Sequence, residues 1–294
     1  AALLDQIVDK LGGNPLVLRE TLAALVERGI LAASPAYPGK LTWVRRDAAL
    51  QIPSSALALM AARIDRLPAA AREVLSIAAV IGRTFRTADL AMLLGHNVVD
   101  TLEELAERGL LDRPAADRPS VPSGETSYAF MTGLIRQVAY DLLPPEERAR
   151  VHRAVAEHLL RAAGNATGRD DAVIAHHLLQ AGDKEGAGRR FLSAARTAAN
   201  ARGNAEAFRL LTRALALLPR EARAERYEAR AERETILGAW GERAKQLREI
   251  HLLRREAEGL GSHALLARAT TRLAQLYIDV GKMAVAERTL ATAL

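Results

Sequence analysis

From about residue 170 onward the chain repeats itself, and an internal repeat narrows the possible folds more than any other pattern in it. The unit is a helical hairpin of roughly 30 to 35 residues. In "TTRLAQLYIDVGKMAVAERTLATAL", the clearest copy, Leu273, Ala274, Tyr277, Gly281, Ala286, Leu290 and Ala293 supply large, small, aromatic, turn, small, large and small residues in order. Small side chains stand where two helices touch, and large ones where neighbours interlock. "IAHHLLQAGDKEGAGRRFLSAARTA" repeats the scheme through Gly182, Ala187, Phe191 and Ala194. "ARGNAEAFRLLTRALALLP" does so in its second half through Ala207, Leu211, Ala214 and Pro219. Residues 223–258, with Trp240 and Gly241, follow it only weakly and irregularly. About four hairpins are expected, the last cut short and its stacking surface open.

This texture resembles tetratricopeptide repeats, and the composition agrees with a helical chain. The 294 residues suffice for two domains, and 49% hydrophobic content with only 4% aromatic points to helix-rich packing. The absence of Cys excludes disulfides, thiolate metal sites and cysteine nucleophiles together, and a cytoplasmic location is expected. The first residues, "AALLDQIVDKL", are amphipathic and carry Asp5 and Asp9, so they are not a secretory signal, and no apolar run approaches a membrane span. Without an initiator Met, and stopping at "TLATAL" inside a helical pattern, the sequence reads as a piece of a longer protein.

The net charge is +6, and its distribution matters more than its size. Residues 1–150 hold 17 Lys+Arg against 18 Asp+Glu, whereas residues 151–294 hold 24 against 17, so the excess belongs to the repeats. That favours an acidic partner there.

Before the repeats the pattern is irregular. "PLVLRETLAALVERGIL" has a helical period through Leu16, Leu18, Leu22, Leu25, Val26 and Ile30, and ends at Gly29. "KLTWVRR" alternates like a short strand or half of a hairpin. Another helix starts at "IPSSALALMAARIDRL", with Ser54 or Ser55 as its cap. From Pro68 come the helices "AAAREVLSIAAVIG", "TADLAMLLG" and "VVDTLEELAERGL", then two short strands, "LLDRP" and "SYAF", around "AADRPSVPSGET". Three helices followed by two strands predict a winged helix-turn-helix. The expected architecture is therefore mostly α: residues 1–50 as one segment, 51–165 as a winged-helix domain with a small β wing and linking helices, and 166–294 as the tetratricopeptide-like α-α solenoid.

Candidate chemistry is sparse. Gly12-Gly13-Asn14-Pro15 precedes a helix, where Asn14 can cap and Pro15 suits the first helical position. A phosphate-cradling loop would need Lys and Ser/Thr to follow, and neither does. The third helix of the winged unit carries Asp100, Glu103, Glu104 and Glu107 against Arg108, so phosphate would be repelled where a DNA-reading helix must sit. His176 and His177 are adjacent and point about 100° apart on a helix, while His152 and His158 lie on different faces, so neither pair is read as a metal site. Asp65, beside Arg63 and Arg66, is read as a charged helix end. No nucleophile, base and acid stand at a recognisable spacing, and the chain is not read as an enzyme.

The ordered series "GGNPLVLRETLAALVERGIL", "IPSSALALMAARIDRLP", "REVLSIAAVIGRTF", "LEELAERGLLDR" and "LIRQVAYDLLPPEERARVHRAVAEHL", followed by the repeats, resembles the carboxy-terminal half of bacterial signal-transduction ATPases with numerous domains. These are relatives of large transcriptional regulators and of ATPase modules fused to kinases or nucleotide cyclases. The resemblance makes residues 1–50 the end of the ATPase module and implies that Gly13, Asn14 and Pro15 contact the adenine of bound ATP or ADP, Pro15 lying against the base. The phosphate loop and the acidic metal-binding strand would lie upstream of Ala1. It also implies a His after the last strand of the winged helix, touching the ADP phosphate in the closed state; "FMTGLIRQVAY" has Thr132 there, which offers a hydrogen bond but no charge. The implied mechanism is a switch. ADP holds the winged helix on the ATPase core, while a protein or peptide on the repeats favours an open state stabilised by ATP and self-association. A plain protein-binding scaffold and a DNA-binding regulator are the alternatives. Arg230 and Arg233 are candidates to line the partner groove.

Overall fold

A computed structural model describes residues 22, 26, 29–33, 41–44, 56–113, 126–163 and 170–291. The chain divides into two compact units, residues 1–148 and 149–294. Among the described residues there are thirteen helices and five short strands, so the protein is mostly helical.

In the first unit β1 (Leu31–Ala33) pairs antiparallel with β2 (Leu41–Trp43), with Leu31 opposite Trp43. The strand expected in "KLTWVRR" is present, and its partner is the "LAA" that follows the helical run. Gly29 makes the switch at a φ of +64°, a left-handed conformation that costs glycine little. Ile30 and Leu31 then turn inward and are buried rather than continuing the helix.

The main body of this unit is built from α1 (Ala56–Asp65), α2 (Ala69–Ile81), β3 (Thr84–Arg86), α3 (Thr87–Leu94), α4 (Val99–Glu107), β4 (Leu111–Asp112), β5 (Ser127–Phe130) and α5 (Gly133–Asp141). Helix α2 buries Ala71, Val74, Leu75, Ala78 and Ala79, the i, i+3, i+4, i+7 stripe of an amphipathic helix. Leu90 of α3, Leu102 and Leu105 of α4, and Ile135 and Val138 of α5 close on the same core, with Met60 and Ile64 of α1. The strands form one sheet in the order β3-β5-β4, both neighbours antiparallel to β5. Phe85 lies opposite Tyr128 and Leu111 opposite Phe130, so the buried faces of all three strands join the core. The two expected strands are β4 and β5; the third, β3 in "TFR", is not among those the sequence predicts. Three residues are too few to show alternation. The loop between β4 and β5 lies outside the described residues.

The second unit contains α6 from residue 149 (the whole helix is Pro145–Ala163), α7 (Asp171–Gln180), α8 (Lys184–Asn200), α9 (Asn204–Leu217), α10 (Arg223–Ala239), α11 (Arg243–Gly259), α12 (His263–Asp279) and α13 (Met283–Ala291). From α7 onward each helix packs on the next, giving an array of antiparallel hairpins. Left-handed residues at Gly182, Gly241, Gly261 and Gly281 end four of the helices, and Arg202 does so at the α8–α9 turn. Asp183 and Ser262 cap the helices that follow them, accepting from the Gly186 and Leu265 amides.

The hairpins have different interiors. Between α8 and α9 the core is apolar: Phe191, Leu192, Ala207, Leu210, Leu211 and Ala214 are buried together. Gly188 sits where a Cβ would come within 3.0–3.2 Å of Leu218, so a small residue lets these elements approach. The α10–α11 hairpin, weak in the sequence, is regular in backbone, with two helices of 17 residues. Its interior is mixed: Leu237, Ile250, Leu253 and Ala257 are buried, and an ionic cluster is buried with them. Arg230 bonds Glu249 at 2.9 Å and Glu256 at 3.3 Å, while Arg226 reaches Glu256 at 3.0 Å and the carbonyls of Leu215 and Leu218. Arg230, Glu249 and Glu256 are all buried. With Gly241 set on Gly281, Arg233, Glu234 and Gln246 stand where the repeat pattern wants a large and two small residues, which is why the sequence match is weak there.

Candidate groove and sequence-predicted sites

Helices α8, α10 and α12 are the corresponding members of three successive hairpins, and their exposed faces bound a groove of about 550 Å³. Arg196 comes from α8; Tyr227, Glu228, Ala231 and Glu232 from α10; Ala267, Arg268, Thr271 and Arg272 from α12. Helical geometry explains the selection. Residues 227, 228, 231 and 232, like 267, 268, 271 and 272, are spaced i, i+1, i+4, i+5 and so share one face.

The walls are cross-linked by ion pairs. Arg196 binds Glu228 at 2.5 Å and Glu232 at 3.1 Å, tying α8 to α10. Burial disfavours the charge of Arg196, but hydrogen bonds to Glu232 and Glu228 outweigh it and hold its pKa above the ordinary value. Arg272 pairs with Glu234 and lies 3.2 Å from Thr235 Oγ1, tying α12 to α10. The Tyr227 hydroxyl donates to the Leu265 carbonyl at 3.1 Å. Burial raises the Tyr227 pKa, opposed by Arg272 and Arg268 nearby.

Arg230 and Arg233 do not line this groove. Arg230 faces the α10–α11 interior, and Arg233 lies over the Phe208 ring at 4.8 Å, 3.6 Å from Glu249. Burial lowers the Arg233 pKa, Glu249 opposing the shift. The residues that do line it went unread because no local motif marks them. A faint signal exists in the numbering: Arg196, Glu232 and Arg268 are spaced 36 apart, close to the repeat length.

In the first unit Thr132 is the N-cap of α5, its Oγ1 accepting from the Ile135 amide at 3.3 Å. Its acceptor is engaged by the helix, and its O–H can still donate. Gly13, Asn14 and Pro15 lie outside the described residues, as do Ser54 and Ser55. Asp65 ends α1. On α4 the carboxylates are held in place: Glu104 pairs with Arg108 at 2.8 Å and Glu103 with Arg113 at 2.6 Å. The Tyr128 hydroxyl donates to Glu103 at 2.5 Å. That bond holds the Glu103 carboxyl below its usual range, burial opposing and Arg113 assisting. Burial, with the Glu103 bond second, pushes Tyr128 up to about 12.

The histidines meet in a way that spacing within one helix does not reveal. His152 on α6 and His177 on α7 are both buried, with Nδ1 atoms 2.8 Å apart, so one ring donates to the other. The His176 ring lies 6.0 Å from that of His152. Among the described residues no three His, Asp or Glu are grouped to hold a metal ion. None of the described helices is long and apolar enough to cross a membrane.

Comparison with known proteins places the fold. No protein-family model and no curated protein matches the chain. Among solved structures, the crystal structure of a Signal Transduction ATPase with Numerous Domains (STAND) protein with a tetratricopeptide repeat sensor, from Pyrococcus horikoshii, is similar over 98% of this chain, with a TM-score of 0.50 and 16% identity. The match spans 37% of that structure's chain. The likeness is one of fold, and it extends through both units.

Proposed function

We propose that residues 1–294 form the regulatory and protein-interaction portion of a nucleotide-switched signal-transduction ATPase. The hairpin array is the sensor, and a protein or peptide partner lies in the groove between α8, α10 and α12. The β3-β5-β4 sheet with α2, α3 and α4 is a winged helix that packs on an ATPase core. ATP or ADP is bound by that core, with Gly13, Asn14 and Pro15 along the base and Thr132 toward the phosphate. The array has no enzymatic role of its own.

The observation that carries this reading is the groove: corresponding helices of three successive hairpins present one continuous lined surface. The fold likeness supports its use as a sensor. Reading of DNA by α4 is disfavoured because Glu103 and Glu104, though paired, keep that helix from presenting net positive charge to phosphate. The partner would shift the switch by binding one state more tightly than the other.

The test is calorimetry of ADP and ATP on this chain joined to an ATPase module, comparing Pro15→Ala and Thr132→His with the parent. ADP should bind, more weakly after Pro15→Ala and more tightly after Thr132→His. If neither nucleotide binds, the switch falls and the chain is a protein-binding scaffold.

A further inference from the structure

Three arginines line the groove, and only one has charge to offer a ligand. Arg196 is held by two carboxylates, Glu228 and Glu232. Arg272 is paired with Glu234, whose side chain is 6% exposed. A ligand carboxylate that captured Arg272 would leave Glu234 charged and uncompensated in the interior, which costs more than an exposed ion pair returns. Arg268 is different. It is exposed, lies near Tyr227, and has no ion-pair partner among the described residues. The lining sets Arg196, Arg268 and Arg272 against Glu228 and Glu232, and Glu234, buried behind the wall and paired with Arg272, offsets the remaining positive charge. The basic excess of the second half therefore lies elsewhere and says little about what the groove selects.

We infer that the groove takes an extended peptide that sets a single carboxylate on Arg268 and runs neutral side chains over Ala231, Ala267 and Tyr227. Acidic tracts are refused, because Glu228 and Glu232 face the same space and a second carboxylate meets like charge. This rests on the reading of the groove as the partner-binding face. It narrows that reading from a generally acidic partner to one anionic contact with a defined register.

The experiment is selection of a random-sequence peptide library, displayed on phage, against the 294-residue chain. Selected peptides are then measured on Thr271→Trp, which fills the groove from an exposed position, on Arg268→Glu, and on Arg255→Glu as an exposed site outside it. Circular dichroism checks that each variant stays folded. Peptides lost on Thr271→Trp should carry one Asp or Glu and weaken about tenfold on Arg268→Glu, with no change on Arg255→Glu. If those peptides carry acidic tracts, or bind Arg268→Glu as well as the parent, this inference is overturned while the groove remains a binding face. If no selected peptide responds to Thr271→Trp, the groove reading itself fails, and this one with it.

Discussion

The α8–α9 and α10–α11 hairpins have the same backbone plan, but only the second carries an ionic cluster in its interior. One is closed by Phe191, Ala207, Leu211 and Ala214, while the other sets Arg226, Arg230, Glu249 and Glu256 among Leu237, Ile250, Leu253 and Ala257. The apolar interior is tolerant of exact geometry, because burial rewards area rather than direction. The ionic cluster works only while every charge keeps its partner, since desolvation of each ion is offset by its neighbours alone. A hairpin can therefore keep its shape while losing the residue pattern by which such hairpins are recognised.

This contrast can be tested by substitution. The largest effect is expected from Glu249→Ala, which removes a carboxylate from both Arg230 and Arg233; a loss of about 3–5 kcal/mol should appear in urea unfolding. Leu211→Ala in the apolar hairpin should cost about 2–4 kcal/mol through lost burial and the cavity left behind. If Glu249→Ala is instead nearly silent, the ionic cluster is dispensable and the comparison collapses.

A subtler test replaces the ionic cluster as a whole. Arg226→Met, Arg230→Met and Arg233→Met together with Glu249→Leu and Glu256→Leu remove these paired charges as a set, and should leave stability unchanged or raise it by about 1–2 kcal/mol. A large loss would show that the network does more than fill space.

The smallest effect concerns tyrosine. The α8–α9 hairpin has none, whereas Tyr227 on α10 has a raised pKa, and Tyr128 in the first unit is pushed up to about 12. A raised folded pKa means the native state holds its proton longer than the unfolded chain. The stability these groups contribute is thus complete below pH about 10 and is lost as the pH rises through their folded values. Ultraviolet titration of tyrosinate should show late-ionising phenols, one of which disappears in Tyr227→Phe. A titration with every tyrosine near pH 10 would contradict the burial described for both.

Much of the fold was legible because it follows from local rules. The apolar stripe of α2, the strand in "KLTWVRR", and the matched small and large residues of α8, α9 and α12 are all visible in order along the chain. The β3 strand was not, being three residues that pair only because β5 arrives beside them. The candidate site was less legible than the fold. Arg230 and Arg233 looked available as surface arginines, and the hairpin interior claimed both. His152 and His177 looked unrelated in sequence, and the packing of α6 on α7 joined their rings.

The sequence by itself determined that the second half is a series of helical hairpins, since helical period, turn glycines and side-chain size are properties of neighbours a few residues apart. Only the tertiary structure decided which arginines meet solvent and which are neutralised. An ion pair depends on where two helices cross, and Arg196 finds Glu232, as Arg272 finds Glu234, across more than one turn of chain and from a different hairpin. What distinguishes Arg268 is that no described residue pairs with it, and that follows from the stacking of α8, α10 and α12 rather than from any residue beside it.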